Sequence, residues 1–312
     1  MKWLKNSFMD PFNVHILGCG SAKPNTRHFP SCQIISYRQK LLMVDCGEGA
    51  QIQMCAHHLN FSRLSAIFIS HLHGDHCYGL LGLISTLNLL GRTAQLHVYG
   101  PQGMETLFRP HIEFFNPQMT YEVVFHEHDT ERFCQIYEDR SLTVSTLPMK
   151  HRIPCAGFLF REKQGPRHMR KDAVQKYEIP ISQINLIKAG ADLVREDGSV
   201  IPNELMTLPA DPPRSYACCA DTLYQPDLCR LIKGVDLLFH ESTYEDDDAA
   251  KAQSRFHSTA SQAACVARDA GAKKLVIGHY SSRYDDLTGM LSQARAVFEE
   301  TVLANEGLVI GI

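Results

Sequence analysis

The heptapeptide SHLHGDH, positions 70–76, follows the apolar run LSAIFI and puts three histidines and one aspartate into seven residues. Imidazole nitrogen and carboxylate oxygen are ligands that zinc and similar ions take, and catalytic sites leave one coordination position for water. Two histidines two apart can converge on one ion, while the adjacent Asp75 and His76 diverge from them and can hold a second. A polar solvated loop is the ordinary alternative for such a stretch. The choice turns on whether other ligand-type residues sit at strand ends.

They do. Asp221 follows SYACCA, His240 follows VDLLF, His279 follows KLVIG and His151 follows LTVSTLPMK. In α/β architectures, sites gather beyond the carboxyl ends of strands, where the chain leaves the buried sheet and presents side chains to a shared cleft. Each residue alone reads equally as a hydrogen-bonded structural histidine or a turn-starting aspartate. Together they suit a dinuclear centre.

The surrounding pattern is that of an α/β protein. VHILG, CQIISY, KLLMVDCG and LSAIFIS read as strands of one meandering sheet. GLLGLISTLNLLG, residues 79–91, is apolar on every side and reads as a buried helix stopped by Gly91. A strand QLHVYG and a helix near 103–115 follow, then strands through SLTVSTLP. From 215 the order is strand then helix, with Ala260, Ala263, Ala264 and Ala267 at helical spacing, Ser258 or Thr259 as cap and Gly271 as stop. Residues 161–176, REKQGPRHMRKDAVQK, carry six Lys or Arg against two acids, about +4 in a chain of net charge −3. LVREDGSVI reads as a hairpin turning at Asp197-Gly198.

At 312 residues, 44% apolar and 21% charged, the chain suits one large soluble domain over 1–312 with a substantial core. Its slight negative charge excludes a global positive field, so a nucleic-acid partner requires a local basic patch. Eleven cysteines with no repeated CxxC pair, and an N-terminus MKWLKNSFMDPF lacking the apolar segment of a signal peptide, point to reduced thiols in the cytoplasm. No apolar run is long enough to span a membrane.

SHLHGDHCYGLLGL, MKHRIPCAGF, ADT, FHESTY, HSTASQAA and IGHYSSRY resemble, in order and spacing, the motifs of the ribonuclease Z family, the tRNA 3′-end-processing endonucleases of the metallo-β-lactamase superfamily. ILGCGSAKP and MVDCGEGAQ are similar to that family's first strands, so the resemblance covers nearly the whole chain. HxHxDH marks only the superfamily; HSTxxQAA followed by GHYSSRY is more specific. The resemblance implies an αββα sandwich with two zinc ions per subunit at the sheet edge. His71, His73 and His151 would hold one ion, Asp75, His76 and His279 the other, and Asp221 would bridge them. It further implies Asp75 as proton acceptor, His257 as proton donor to the leaving 3′-oxygen and Glu241 as the acid orienting an active-site imidazole. Hydrolysis through external water would leave a 3′-hydroxyl and a 5′-phosphate.

Asp45 is a candidate for supporting a ligand, and Arg283 suits a substrate phosphate. The segment 161–200 lies where the family carries a protruding basic arm that grips tRNA, which makes Lys163, Arg167, Arg170 and Lys171 candidate substrate contacts. The resemblance also implies precursor tRNA as partner and a homodimer. NTRHF after SAKP departs from other branches, which bears on the cleavage position relative to CCA. Two alternatives remain: a small-molecule phosphodiesterase of the same superfamily, and a non-catalytic RNA binder that keeps metals for stability.

Overall fold

A computed structural model describes residues 11–23 and 25–312; the first ten residues, on which the no-leader reading rests, and Pro24 lie outside the described residues. The chain divides into two compact units, one comprising the residues up to 137 with 144–160 and 215–312, the other 138–143 with 161–214.

Two seven-stranded sheets dominate the first unit. In spatial order the first runs Val309–Gly311, Phe12–Gly18, Cys32–Tyr37, Lys40–Val44, Leu64–Phe68, Leu96–Pro101, Val123–His128. The N-terminal strands pair antiparallel, as a meander would, but from Lys40–Val44 onward the pairing is parallel. Parallel neighbours need crossovers. The helices Ala50–Ala56, Leu80–Leu89 and Met104–Phe115 supply them, which corrects the simple meander expected from sequence.

The second sheet runs Thr301–Leu303, Lys274–Gly278, Leu237–Glu241, Ser215–Cys219, Ala156–Glu162, Leu142–Pro148, Gln135–Glu138. Its first four strands are parallel, in keeping with the strand-then-helix order after 215.

Strands in the middle of these sheets are buried on both faces, which is why Lys40–Val44 reads as a nearly continuous apolar run rather than an alternating one. Ile34, Met43, Ile67 and Val98 face the helices and pack in one cluster with Met54, Leu83, Ile84, Leu87, Met104, Phe108 and Ile112. The opposite face meets the other sheet: the Phe68 ring lies 5.5 Å from Phe158 and 5.4 Å from Phe160. Burying a side chain of that size stabilises the sandwich by about 1.5–3 kcal/mol. Tyr216 donates its hydroxyl to Gln33 across the same interface, so the buried polar groups there are satisfied.

Helix Ala260–Ala270 covers the second sheet with the small face formed by Ala260, Ala263, Ala264 and Ala267. Thr259 is its cap, in a reciprocal capping box with Gln262, and Gly271 ends it at φ +65°. Ser258 instead donates to the Thr222 carbonyl at 2.8 Å. The expectation of a wholly buried helix over 79–91 needs correction: Leu80, Leu83, Ile84 and Leu87 are buried, but Leu89 and Leu90 are 87% and 63% exposed. A helix in an outer layer has only one stripe covered.

The second unit consists of short elements around a core of its own, Ala173, Ile179, Ile187, Leu193 and Met206. The expected hairpin is present, pairing Leu193–Val194 with Val200–Ile201, and Gly198 takes φ +80° in its turn.

Candidate metal centre

The HxHxDH stretch leaves strand Leu64–Phe68 and closes into one helical turn, Gly74–Cys77. Backbone bonds clamp that turn to the 45–47 loop, since Cys46 N–H donates to the His76 carbonyl and Gly79 N–H to the Cys46 carbonyl, both at 2.8 Å. A Cβ on Gly79 would lie 2.1 Å from the Gly47 carbonyl oxygen, so only glycine permits this approach. Asp221 and His279 arrive from the ends of Ser215–Cys219 and Lys274–Gly278. His279 and Asp45 adopt left-handed backbone conformations at φ +63° and +55°. Such strain costs about 1–3 kcal/mol per residue and persists where surrounding contacts demand it.

Two groups of donor atoms converge, with Asp221 between them. His71 Nε2 and His73 Nδ1 are 3.0 Å apart, His151 Nε2 is 3.2 Å from His73 Nδ1, and Asp221 Oδ2 lies 3.6 Å from His71 Nε2 and 3.8 Å from His151 Nε2. In the second group His76 Nε2 and His279 Nε2 are 3.2 Å apart, and each is 3.5 to 3.6 Å from Asp75 Oδ2. Asp221 turns its other oxygen, Oδ1, to this group, 3.2 Å from His279 and 3.6 Å from His76. Zinc–ligand bonds of about 2.0–2.2 Å in tetrahedral array give ligand–ligand edges of about 3.3–3.6 Å. Both groups have that size. Asp221 Oδ1 is buried and receives no hydrogen bond, an arrangement that suits a carboxylate oxygen directed at a cation.

Outer hydrogen bonds set which ring nitrogen faces inward. His76 Nδ1–H donates to Asp45 Oδ2 at 2.7 Å, His71 Nδ1–H to Ser70 Oγ at 3.0 Å, and His151 Nδ1–H to the Phe256 carbonyl at 3.0 Å. His279 Nδ1–H donates to Thr243 Oγ1 at 3.0 Å, whose own hydroxyl donates to Glu241 Oε2 at 2.9 Å. In each case Nε2 is the ring nitrogen turned toward the centre. The Ala22 N–H, on a residue at φ +53°, donates to Asp75 Oδ2 at 2.7 Å.

The electrostatics divide the histidines. Burial holds His71, His73 and His151 below the usual imidazole range, so they are neutral. Burial acts against a charge on His76 too, but Asp45, Asp221 and Asp75 outweigh it and push its pKa up to about 10. Burial pushes the Asp75 and Asp221 carboxyls upward; the surrounding imidazoles, His76 for Asp75 and His279 for Asp221 foremost, hold both well below the carboxylate range. His257 behaves like His76: against burial, Glu241 and Asp221 raise it to about 9. Its Nδ1 donates to Glu241 Oε1 at 3.1 Å.

A cleft of about 450 Å³ opens on these groups, lined by His73, Asp75, His151, Asp221, His257 and His279. Arg152 and Tyr78 also line it, and neither stood out in the sequence. Arg152 immediately follows the ligand-type His151, so adjacency was the available signal. Ser70 and Thr243 were likewise missed because a serine or threonine hydroxyl carries no spacing that marks it as the support of a ligand.

The other candidate residues belong to neither donor group. His240 is buried with Nδ1–H on the Glu241 carbonyl and joins neither of them. Arg283 donates to Asp248 at 3.1 Å and stacks over Tyr244; it is not among the lining residues. Lys163 pairs with Glu138. Arg167 Nε donates to Thr207 Oγ1 at 2.7 Å, whereas Arg170 and Lys171 are exposed.

The crystal structure of human tRNase Z, short form, matches with TM-score 0.69 at 25% identity, covering 96% of this chain and 98% of that one. The metallo-β-lactamase fold protein YhfI of Bacillus subtilis matches equally well, TM-score 0.69 at 19% identity over 97% and 100% of the two chains, and shows the fold. Fold and donor set together define a metal-dependent hydrolase of the metallo-β-lactamase fold. A ribonuclease Z of Bacteroides fragilis is 53% identical over 304 residues, 97% of this chain and 100% of that protein. One of Porphyromonas gingivalis is 52% identical over the same shares. Residues 12–109 also match the family model described as anti-Pycsar protein Apyc1. The chain belongs to the ribonuclease Z family, metal-dependent endonucleases acting at the 3′ end of tRNA precursors.

Proposed function

We propose that the cleft hydrolyses one phosphodiester at the 3′ end of precursor tRNA with two zinc ions per subunit, leaving a tRNA 3′-hydroxyl and a trailer 5′-phosphate. The supporting observation is Asp221, whose Oδ2 faces His71 and His151 while Oδ1 faces His76 and His279. His71, His73 and His151 would hold one ion, Asp75, His76 and His279 the other. When bound, such a pair supplies Lewis acidity toward phosphoryl oxygens and lowers the pKa of water.

The chain's own residues supply the proton transfers. Asp75, steadied by the Ala22 amide and open to the cleft, accepts a proton from the attacking water. Its low basicity makes that stay brief. His257, kept protonated by Glu241 behind Nδ1, turns its remaining N–H to the cleft and donates to the leaving 3′-oxygen. Arg152 and Arg283 add positive charge for flanking phosphates. Residues 161–200 of the single 1–312 domain form the arm, with Lys163, Arg167, Arg170 and Lys171 contacting the tRNA backbone. The enzyme works as a cytoplasmic homodimer; no helix among the described residues is long and apolar enough to cross a membrane.

End mapping of a cleaved precursor tRNA tests this reading. Zinc-loaded enzyme should yield 3′-hydroxyl and 5′-phosphate ends and His73→Ala none; cyclic phosphate ends, or full activity with chelator, would refute it.

A further inference from the structure

Cys19, His28 and Glu306 bring a thiol, an imidazole and a carboxylate together at a second point of the first unit, one the reaction above leaves unused. Cys19 follows strand Phe12–Gly18, His28 stands on the loop after it, and Glu306 on the turn before Val309–Gly311. His28 Nδ1 lies 3.3 Å from Cys19 Sγ and 3.0 Å from Glu306 Oε2, and Cys19 Sγ lies 3.7 Å from Glu306 Oε1. Cys19 is 1% exposed, and the His28 and Glu306 side chains 17% and 14%. The Phe29 N–H holds Glu306 Oε1 in place at 2.8 Å.

The arrangement is not that of a nucleophile relay. In a relay the base uses one ring nitrogen for the nucleophile and the other for the orienting carboxylate. Here sulfur and carboxylate crowd the same nitrogen, Nδ1, which carries at most one proton and can donate to only one of them, while the Cys19 thiol itself reaches the Ala304 carbonyl at 3.6 Å. Burial and the neighbouring Glu306 also push the Cys19 thiol well up, the reverse of an activated cysteine. A cation answers all three groups at once. Bonds of about 2.3 Å to sulfur and 2.0–2.2 Å to nitrogen and oxygen give edges of about 3.3–3.7 Å; Nδ1 and Sγ are 3.3 Å apart, and one ligand atom from each of the three residues lies within 4.8 Å of the others.

We propose that Cys19, His28 and Glu306 form a third metal site, separate from the cleft, that takes one divalent ion of the zinc class with water in the fourth position. Mixed thiolate, imidazole and carboxylate donors select such ions over magnesium or calcium. The role is structural. Tyr280 N–H donates to the Cys19 carbonyl, Ser21 N–H to the Tyr280 carbonyl, and Ala22 N–H to Asp75, so an ion at Cys19 braces the segment that holds a cleft carboxylate.

The test strips the full-length protein of metal, reloads it with Co²⁺ or Zn²⁺, and reads near-ultraviolet thiolate-to-cobalt charge transfer and zinc content. The cleft's nitrogen and oxygen donors produce no such band, so wild type should show it, Cys19→Ser should lose it, and Cys155→Ser should keep it; Cys155 is the control because its Sγ lies 3.6 Å from His71 Nδ1. Zinc content should fall by about one equivalent in Cys19→Ser and in Glu306→Gln. Wild-type protein with no band, or a band and zinc content unchanged in both variants, overturns the proposal. Absence of the band from wild-type protein overturns the proposal whether or not a variant folds, and a band that Cys155→Ser removes does so as well.

Discussion

Replacing Glu241 by Gln removes one buried negative charge while nearly preserving shape. Glu241 is fully buried and accepts from Thr222 N, Ser258 N and His257 Nδ1 on one oxygen, and from the Thr243 amide and hydroxyl on the other. At the 3.1 Å separation from His257 and an effective dielectric of about 20, opposite unit charges attract by about 5 kcal/mol. Against burial, this pairing with Asp221 lifts His257 from 6.5 to about 9, a net gain of about 3 kcal/mol for the charged ring. A general acid must be protonated to act, so kcat falls as the pH rises through its pKa. Without the carboxylate that pKa drops, and the alkaline limb of kcat for precursor-tRNA cleavage moves to lower pH by about one to three pH units. The ring's charge also contributes stability that is complete below pH 6.5 and lost as the pH rises through about 9. The difference in melting temperature between wild type and variant should therefore narrow above that pH, the remainder being the clash of the Gln amide N–H with the donors around Glu241. A variant whose kcat falls by the same factor at every pH, with the limb unmoved, would refute Glu241 as the group that keeps His257 charged.

Thr243→Val cuts the link between Glu241 and the His279 ring and should weaken metal binding or activity by about 10–100-fold, read by zinc titration and turnover. Because His76, raised to about 10, must lose a proton before Nε2 can serve as a ligand, metal affinity should climb by about tenfold per pH unit below that value; calorimetry in buffers of different ionisation enthalpy would count the released proton. Replacing exposed Arg170 and Lys171 together with alanine should raise KM for precursor tRNA and make binding less sensitive to salt, the slope of log affinity against log salt falling by about one for each phosphate the arm no longer neutralises. Hydrolysis of a small model diester should stay unchanged. An unchanged KM and salt slope for precursor tRNA would instead favour a small-molecule phosphodiesterase.

What the sequence made legible is the chemistry placed at strand ends. Asp221, His151 and His279 each follow an apolar run, and the folded chain brings them to the 71–76 stretch across as many as 208 positions. The helix at 260–270 was equally readable, because alanine spacing, a Thr cap and a Gly stop all agree. The supporting hydrogen bonds were not. Ser70 on His71, Thr243 on His279 and the Phe256 carbonyl on His151 are pairings of polar atoms that common residue types make anywhere. Nor does periodicity report which face of an all-apolar segment meets solvent, hence the exposed Leu89 and Leu90. The switch from antiparallel to parallel pairing after Lys40–Val44 follows from the crossover helices, a long-range property that individual strands do not carry.

The proposed mechanism requires Asp221 to join two ions in one cleft. Anomalous diffraction from zinc-loaded crystals tests it most directly. Two peaks flanking Asp221 are expected, one on the Oδ2 side among His71, His73 and His151, the other on the Oδ1 side among Asp75, His76 and His279. A single peak, or two peaks with the Asp221 carboxylate bound to neither, would contradict it.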